Sequence, residues 1–471
     1  MTMVGVRCLG DCLPSIDDVV VEDEYRLWSN PESWTSGALP LEGEDVVIES
    51  GWNMLLDIDP PVLNIVEING RLTFANDTDK HFQANYIFVR AGELIIGSAE
   101  APYPQKAVIT LHGLKDNQYI VFKDNIEAGD KILINTGKVE MHGLPRDGIS
   151  RLTSPADAGD KSIYVETGLD WVEGDMIGIA PTNIEYQASD TATIVSYDPD
   201  SGRVTLDKAL SYSHWGAEES TEDEYNVDMR GEVMLLTRNV KVQGQDVEKW
   251  GCQFITSDFV EADDKLRAGK TILDSVEIYN CSQYDTFKAA LRFQGNSYRY
   301  SEVRNSAIHH GHGLGIYMMM AENVLLENNV VFDFVRFGLN VETSSNITIK
   351  GNAFIHVHKR VWEASKLEDI LACAAICAYT DGDTCSSLHV TNNIFAGSIM
   401  YGAAAPGHTC GDKDDETFKD NVVHSIKGWG VAIFPADDEH YECVEGSDIT
   451  VYKCTEAGLY SYFEVERLQF Q

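Results

Sequence analysis

The segment SAIHHGHGLGIYMMMAENVLLENNVVFDFVRFGLNVETSSNITIKGNAFIHVHKR, residues 306–360, sets five histidines, two arginines and one aspartate among short apolar runs punctuated by Asn and Gly. Its spacing decides the fold before its chemistry can be judged. Aligned on one another, VRNSAIHH (303–310), LENNVVFD (326–333), IKGNAFIH (349–356), VTNNIFAG (390–397) and FKDNVVHS (418–425) share one position. It is occupied by Ser306, Asn329, Asn352, Asn393 and Asn421, in steps of 23, 23, 41 and 28 residues. Two places on, every copy is apolar: Ile308, Val331, Phe354, Phe395 and Val423. Nine places on stand Gly315, Gly338, Gly402 and Gly430, with Val361 the exception. Only 38 of 471 residues are glycine, so this column is not an accident of composition.

Short β runs recurring every 20–30 residues with a column of Asn predict a parallel β-helix. A single coil cannot bury its apolar face, so coils stack. The Asn amides are expected to bond along the axis, in a turn where Asn tolerates left-handed backbone. The 41-residue step holds an excursion, VWEASKLEDILACAA (361–375), whose pattern reads as a helical insertion between coils. Earlier stretches, MLLTRNVKVQG (234–244) and LDSVEIYNCS (273–282), read as degenerate coils, which starts the helix near 229.

Upstream the period changes to two. NIVEINGRLTF (64–74) and YIFVRAGELIIG (86–97) alternate apolar and polar residues around glycines, the mark of half-buried strands. TATIVSYDPDSGRVTLDKAL (191–210) carries a hairpin turn, DPDSGR, between two alternating runs. The chain therefore divides into an N-terminal segment (1–27), a β-rich unit (28–149), a small β unit (150–228), the repeats (229–440) and a C-terminal segment (441–471). The fold class is all-β: a right-handed parallel β-helix with an N-terminal β domain and a small inserted β unit. The first unit is expected to cap the N-terminal end of the helix, because an open end exposes apolar core and unpaired backbone.

Charge excludes one large class of function. With 36 basic against 75 acidic residues the formal net charge is −39, the opposite of what displacing counterions from nucleic acid requires. It suits a solvated, self-repelling surface and leaves calcium or cationic partners open. The longest apolar candidate, ILACAAICAY (370–379), falls short of the ~18 residues of a membrane span. The opening MTMVGVRCLGDCLPS lacks the layout of a secretory leader, yet ten cysteines favour an oxidising compartment. Six of them, Cys373, Cys377, Cys385, Cys410, Cys443 and Cys454, crowd the last hundred residues, and at least two disulfides are expected there. The sequons at Asn76, Asn280 and Asn346 are candidate glycosylation sites. The acidic run DKDDE (412–416) has carboxylates but not the glycine spacing of a calcium-binding hand.

The words SWTSGALP, LLDIDPP, INGRLTF, AGELIIGS and VEMHGLPR occur in order, with Gly37, Gly43, Gly70, Gly92, Gly97, Gly113, Gly137 and Gly143 as candidate glycines. The first unit thereby resembles the eight-glycine domain, and DWVEGDMIGIA, LSYSH and GEVMLLTRNVKVQG continue the match into the repeats. The whole resembles the fibrocystin and fibrocystin-like family, and more distantly the hyaluronan-degrading cell-surface proteins that share both modules. The resemblance implies one ectodomain segment of a larger extracellular or ciliary surface protein. Adhesion, receptor or assembly roles, other surface proteins as partners, and glycan binding would follow. The distant relatives imply instead a polysaccharide hydrolase or lyase.

In the repeat register His310, Asp333 and His356 all lie four places after the shared position, so they should form one column across three coils. Strands of neighbouring coils lie ~4.8 Å apart, which puts a carboxylate between two imidazoles, suited to acid–base work or metal ligation. These three are the candidate catalytic residues. His309, His312, Arg336, His358 and Arg292 are candidate binding residues, with Arg304, Lys359 and Arg360 as further cations for an acidic glycan. AALRFQG (289–295) places Arg292 and Gln294 where the hyaluronan-degrading relatives carry a His-Phe-His word, which weakens the enzymatic reading. The plainer reading is a scaffold wall whose turns admit polar side chains.

Overall fold

A computed structural model describes residues 19–115, 129–217, 227–261, 265–358, 371–377, 385–409, 417–435, 444–461 and 468–470. Among them there is no α-helix, only one 3₁₀ turn at Pro31–Ser33 and strands throughout. The strands wind into a parallel β-helix with three faces. The first is a parallel sheet of 11 strands running from Arg26–Leu27 to Thr417–Lys419. The second runs from the start of Lys80–Val89 to Thr450–Cys454, and the third from Val46–Ile48 through the end of Lys80–Val89 to Ala457–Ser461. These two share one 23-stranded sheet, because Lys80–Val89 is long enough to pair on both.

The sequence alternation becomes an inside and an outside. In Ser345–Lys350, Ile347 and Ile349 are buried while Asn346 and Lys350 are exposed. The apolar column found in the sequence is the lumen lining: Ile308, Val331, Phe354, Phe395 and Val423 are all buried. The Phe354 and Phe395 rings stack with centroids 5.4 Å apart.

The shared position is a buried amide ladder. Oδ1 of Asn329, Asn352, Asn393 and Asn421 accepts the backbone N–H of the equivalent residue one coil earlier, at 2.9–3.0 Å. Nδ2 of Asn329, Asn352 and Asn393 donates to the next Oδ1 at 2.9–3.0 Å. The left-handed residue is the one before each rung: Asn305, Asn328, Gly351, Asn392 and Asp420 have φ between 49 and 68°. The ladder residue itself is not left-handed.

The glycine column is explained by contact. A Cβ on Gly315 would lie 2.5 Å from the Gly338 carbonyl, one on Gly402 2.7 Å from that of Gly430, and one on Gly430 2.5 Å from that of Gly458. The apparent exception disappears, because Phe337↔Ala372 and Leu339↔Ala374 bring Cys373, not Val361, into the column. The expected helical insertion over 361–375 is thereby corrected at its end. Ala372–Ile376 is a strand of the third face, and 361–370 lies outside the described residues. An Ala-rich run fits there since the rung below is held close by Gly338.

The first unit is β-rich as expected, and it is made of coils itself. Lys138–His142 pairs in parallel with Lys270–Asp274, Ala107–Leu111 with Val240–Gly244, and Ile132–Asn135 with Gln253–Thr256. Instead of a separate cap lying over the end of a helix that begins near 229, this unit supplies the first rungs of one solenoid. Three of the candidate glycines stack at one corner: a Cβ on Gly92 would meet the Gly70 carbonyl at 2.1 Å, and one on Gly137 the Gly92 carbonyl at 2.3 Å.

Between the first and second faces of one coil the chain leaves the solenoid to form a six-stranded antiparallel sheet from Ile149–Arg151 to Glu232–Leu235. The DPDSGR turn is its hairpin, pairing Asp198 with Arg203. This inserted unit has its own core around Trp171, Ile177, Ile194 and Val233. Through Ala180, Met234 and Leu236 it packs on the outward residues Phe332, Ile355 and Ala396 of the second face.

Candidate functional site

At the end of each second-face strand the backbone turns toward the third face through one left-handed residue. Successive coils place Asn280, His310, Asp333, His356, Gly397, Ser425 and Lys453 there, with φ between 53 and 73°. Asn, Asp and His are the side-chain-bearing residues that tolerate this region best. The turn therefore selects short polar side chains and stacks them, and the column expected from the repeat is formed.

Asp333 is its centre. His358 Nε2 lies 2.8 Å from Asp333 Oδ1, His356 Nε2 lies 3.7 Å from the same oxygen, and His310 Nε2 lies 3.9 Å from Oδ2. The four side chains are half-buried. Phe332 stacks on His356 with centroids 5.9 Å apart. Burial pushes the Asp333 carboxyl up, but the His358 hydrogen bond and the neighbouring imidazoles outweigh it and hold it well below the usual carboxylate range. Burial also pushes the His310 and His356 imidazoles down to about 4. Near neutral pH Asp333 is therefore an ionised carboxylate, with the neutral His310 and His356 rings beside it.

The inserted unit closes the lower part of the column. Gly397 lies under Pro181 and Tyr186, where a Cβ would come within 2.9 Å of the proline ring and 3.0 Å of the Tyr186 carbonyl. Ser425 Oγ donates to Pro181 O at 3.0 Å and Lys453 Nζ to Thr182 O at 2.8 Å. The polar cluster His310–Asp333–His356–His358 is the part this loop leaves.

The binding candidates separate. His358 joins the catalytic candidates at Asp333. His309 does not belong to an accessible face: it is 1% exposed, its Nε2 lies 3.3 Å from Glu277 Oε1, and its Nδ1 lies 2.8 Å from His310 Nδ1. Its strand position points it outward, where Glu277 and Tyr279 of the preceding coil cover it. His312 turns toward Asn280, Nε2 to Oδ1 at 2.7 Å. Arg292 is buried on the third face, in register with Tyr317. The Arg336 guanidinium lies over the Phe287 and Phe337 rings at 5.3 and 5.5 Å. Arg304 pairs with Glu302 and Glu327 on the first face. The arginines thus do not line the histidine cluster.

Glu277 was missed in the sequence. It is buried, and its Oε1 lies 2.6 Å from Lys241 Nζ, while its Oε2 accepts the Arg238 N–H at 2.9 Å. Extending the repeat register back one coil, to Val276 opposite Ser306, would have found it.

Other side-chain candidates divide in the same way. Asn76 and Asn346 are exposed, whereas Asn280 is buried and its Nδ2 donates to the Gly244 carbonyl, which leaves it no free amide to modify. Cys377 and Cys385 form a disulfide. Cys373 and Cys454 are free thiols, Cys373 buried with its Sγ toward the Ala396 carbonyl. Cys410, Cys443 and the DKDDE run lie outside the described residues, as do Lys359 and Arg360. A second described disulfide, Cys252–Cys281, joins neighbouring coils and was not among the candidates.

Comparison with known proteins agrees with this architecture. Residues 33–153 match the G8 domain and residues 265–410 the right handed beta helix region. Mouse (Mus musculus) fibrocystin-L is 27% identical over 89% of this chain, and mouse fibrocystin 26% identical over 86%. The chain spans only 11% and 10% of those two proteins. The tailspike protein gp49 from Pseudomonas phage LKA1 overlaps 89% of this chain and 57% of its own, at 12% identity and a TM-score of 0.21, a likeness that carries no argument. Among the described residues no helix is long and apolar enough to cross a membrane. The chain thus carries a match to the G8 domain followed by one to the right handed beta helix region, and over most of its length it is similar to fibrocystin-L and fibrocystin.

Proposed function

We propose that the chain is a module of an extracellular or ciliary-surface ectodomain, serving adhesion, receptor or assembly roles with other surface proteins and binding glycan. The observation that carries this reading is the similarity to fibrocystin-L over 89% of the chain, G8 domain and coils together. The two described disulfides suit an oxidising compartment. The net charge of −39 suits a crowded, aqueous surface. The test is surface labelling: an epitope placed in this segment of the parent protein should be stained on intact ciliated cells. Staining that requires permeabilisation would overturn the placement, and purified chain that retains no glycan on an array would remove glycan binding.

A second reading, a glycan-processing enzyme, is favoured by one observation: the His310–Asp333–His356 column holds an ionised carboxylate among neutral imidazoles. Depolymerisation of hyaluronan or a related acidic glycan, with and without calcium, decides it. Activity should vanish in Asp333→Asn, and no change in polymer length with the wild-type chain rejects the enzyme.

A further inference from the structure

We propose that Asp333, His356 and His358 form a binding site for a transition-metal dication, zinc being the ion their chemistry fits best. The inference is independent of the surface-module reading. One ligand atom from each of the three lies within 4.8 Å of the other two. Ligands about 2.0–2.1 Å from a tetrahedral zinc are about 3.3 Å from each other. His358 Nε2 at 2.8 Å and His356 Nε2 at 3.7 Å from Asp333 Oδ1 therefore bracket that spacing, and small rotations about χ bring the three into place.

The donor set chooses the metal. Two imidazole nitrogens and one carboxylate oxygen suit zinc and its first-row neighbours. Calcium, which takes six to eight oxygens, is poorly served by a site in which two of three donors are nitrogen. His310, with Nε2 at 3.9 Å from Asp333 Oδ2, stands by as a fourth donor, or water completes the sphere. The exchange balances without a redox partner. His358 now donates its Nε2 proton to Asp333; on binding, that proton moves to Nδ1 and the Nε2 lone pair and the carboxylate oxygen both turn to the ion.

Backbone placement makes the arrangement rigid. Asp333 and His356 occupy the same left-handed turn position in adjacent coils, and Val335↔His358 fixes His358 in the parallel ladder. Phe332 stacks on the His356 ring. The weakness is the outer shell: His356 Nδ1 is buried without a hydrogen-bond acceptor among the described residues. Outer-shell partners of ligating histidines are worth about 10–100-fold in affinity, so this site should bind more weakly than a fully supported one by that factor.

Titration of the intact chain with zinc ions alone, followed by calorimetry, is the test, with cobalt ions as a spectroscopic substitute. One zinc per chain is expected, and His356→Gln, His358→Gln and Asp333→Asn should each weaken it at least about tenfold. His389→Gln, on the first face away from the cluster, should leave it unchanged. Calcium in large excess should not compete. X-ray absorption on the cobalt-loaded wild type keeps the proposal exposed even where a variant fails to fold: it should report two imidazoles in the shell. An all-oxygen or sulfur shell, zinc binding that survives in His358→Gln, or no binding at millimolar zinc would each overturn the site.

Discussion

Asn352 is one rung in a column of amides, and its hydrogen bonds show how much a single side chain fixes. Its Oδ1 accepts from both the backbone N–H and the Nδ2 of Asn329, and its Nδ2 donates to Leu326 O and Asn393 Oδ1. Asn352→Ala orphans buried donors on one side and acceptors on the other, each costing about 1–3 kcal/mol. Denaturant unfolding should report a loss at the upper part of that range or beyond, and a change under 1 kcal/mol would remove the ladder from the account of stability. Glu140 makes a pH-dependent contribution. The hydrogen bond from His142 lowers its carboxyl most, burial opposes this, and Lys138 adds to the lowering, leaving it at about 2 against an ordinary 4.5. A depressed carboxyl binds fewer protons in the folded state, so its stabilisation is complete above 4.5 and is lost as pH falls from 4.5 toward 2. Glu140→Gln should flatten the stability profile within that window. The same scale shows what the residues disclosed. The His310–Asp333–His356 column was legible because a repeat register converts sequence distance into vertical neighbours. The burial of His309 was not, because it depends on Glu277 one coil away and on which side of the strand is covered.

Between residues and molecule the unit is the coil, and coils differ in how openly the sequence declares them. From Ser306 onward the amide and glycine columns recur coil after coil, since each rung must receive the same carbonyl contact from the next. Before Ser306 the ladder position is Val276, which donates its N–H to Ser306 Oγ and has no amide of its own. Earlier still, strand partners such as Lys138 and Lys270 are separated by the inserted unit, so no short period survives in the sequence. The 41-residue step hid the glycine column for the same reason, setting Cys373 where counting placed Val361. That position also explains why Cys373 remains a thiol: its side chain is enclosed between coils, and burial pushes the thiol well above its ordinary value. Cys377, four residues on, leaves the strand and reaches Cys385, a sequence separation of 8. Closing so short a loop restricts the unfolded chain by about 2–3 kcal/mol. Replacing both by Ser should lower stability by about that much, and Cys373 should resist alkylation until the chain unfolds. A non-reduced digest that leaves Cys377 alkylatable would refute the pairing.

At the scale of the whole molecule the decisive fact is continuity. Residues matching the G8 domain are joined by three parallel strand pairs, one on each face, to the coil Val240–Asp274 that leads into the β-helix match, so the core runs through without a seam. Inward residues from both sides, such as Leu133, Val139, Phe254 and Leu273, belong to one apolar cluster. The inserted unit is the exception, with its own core and antiparallel sheet. Removing residues 19–143 should therefore not release an independent helix. It would strip the partners from Val240–Gly244, Gln253–Thr256 and Lys270–Asp274 at once, leaving three open strand edges around an exposed apolar cross-section. Unpaired edges of that kind recruit other chains, and a solenoid without its terminal coils loses the interfaces that stabilise its end. The net charge of −39 works against association at low salt, so the effect should sharpen as ionic strength rises and screening sets in. Light scattering on chains with and without residues 19–143, across a salt series, is the measurement. The shortened chain should form large species where the intact chain keeps its size. A shortened chain that stays small at high salt and melts at the temperature of the intact one would mean that the two regions are separable bodies after all.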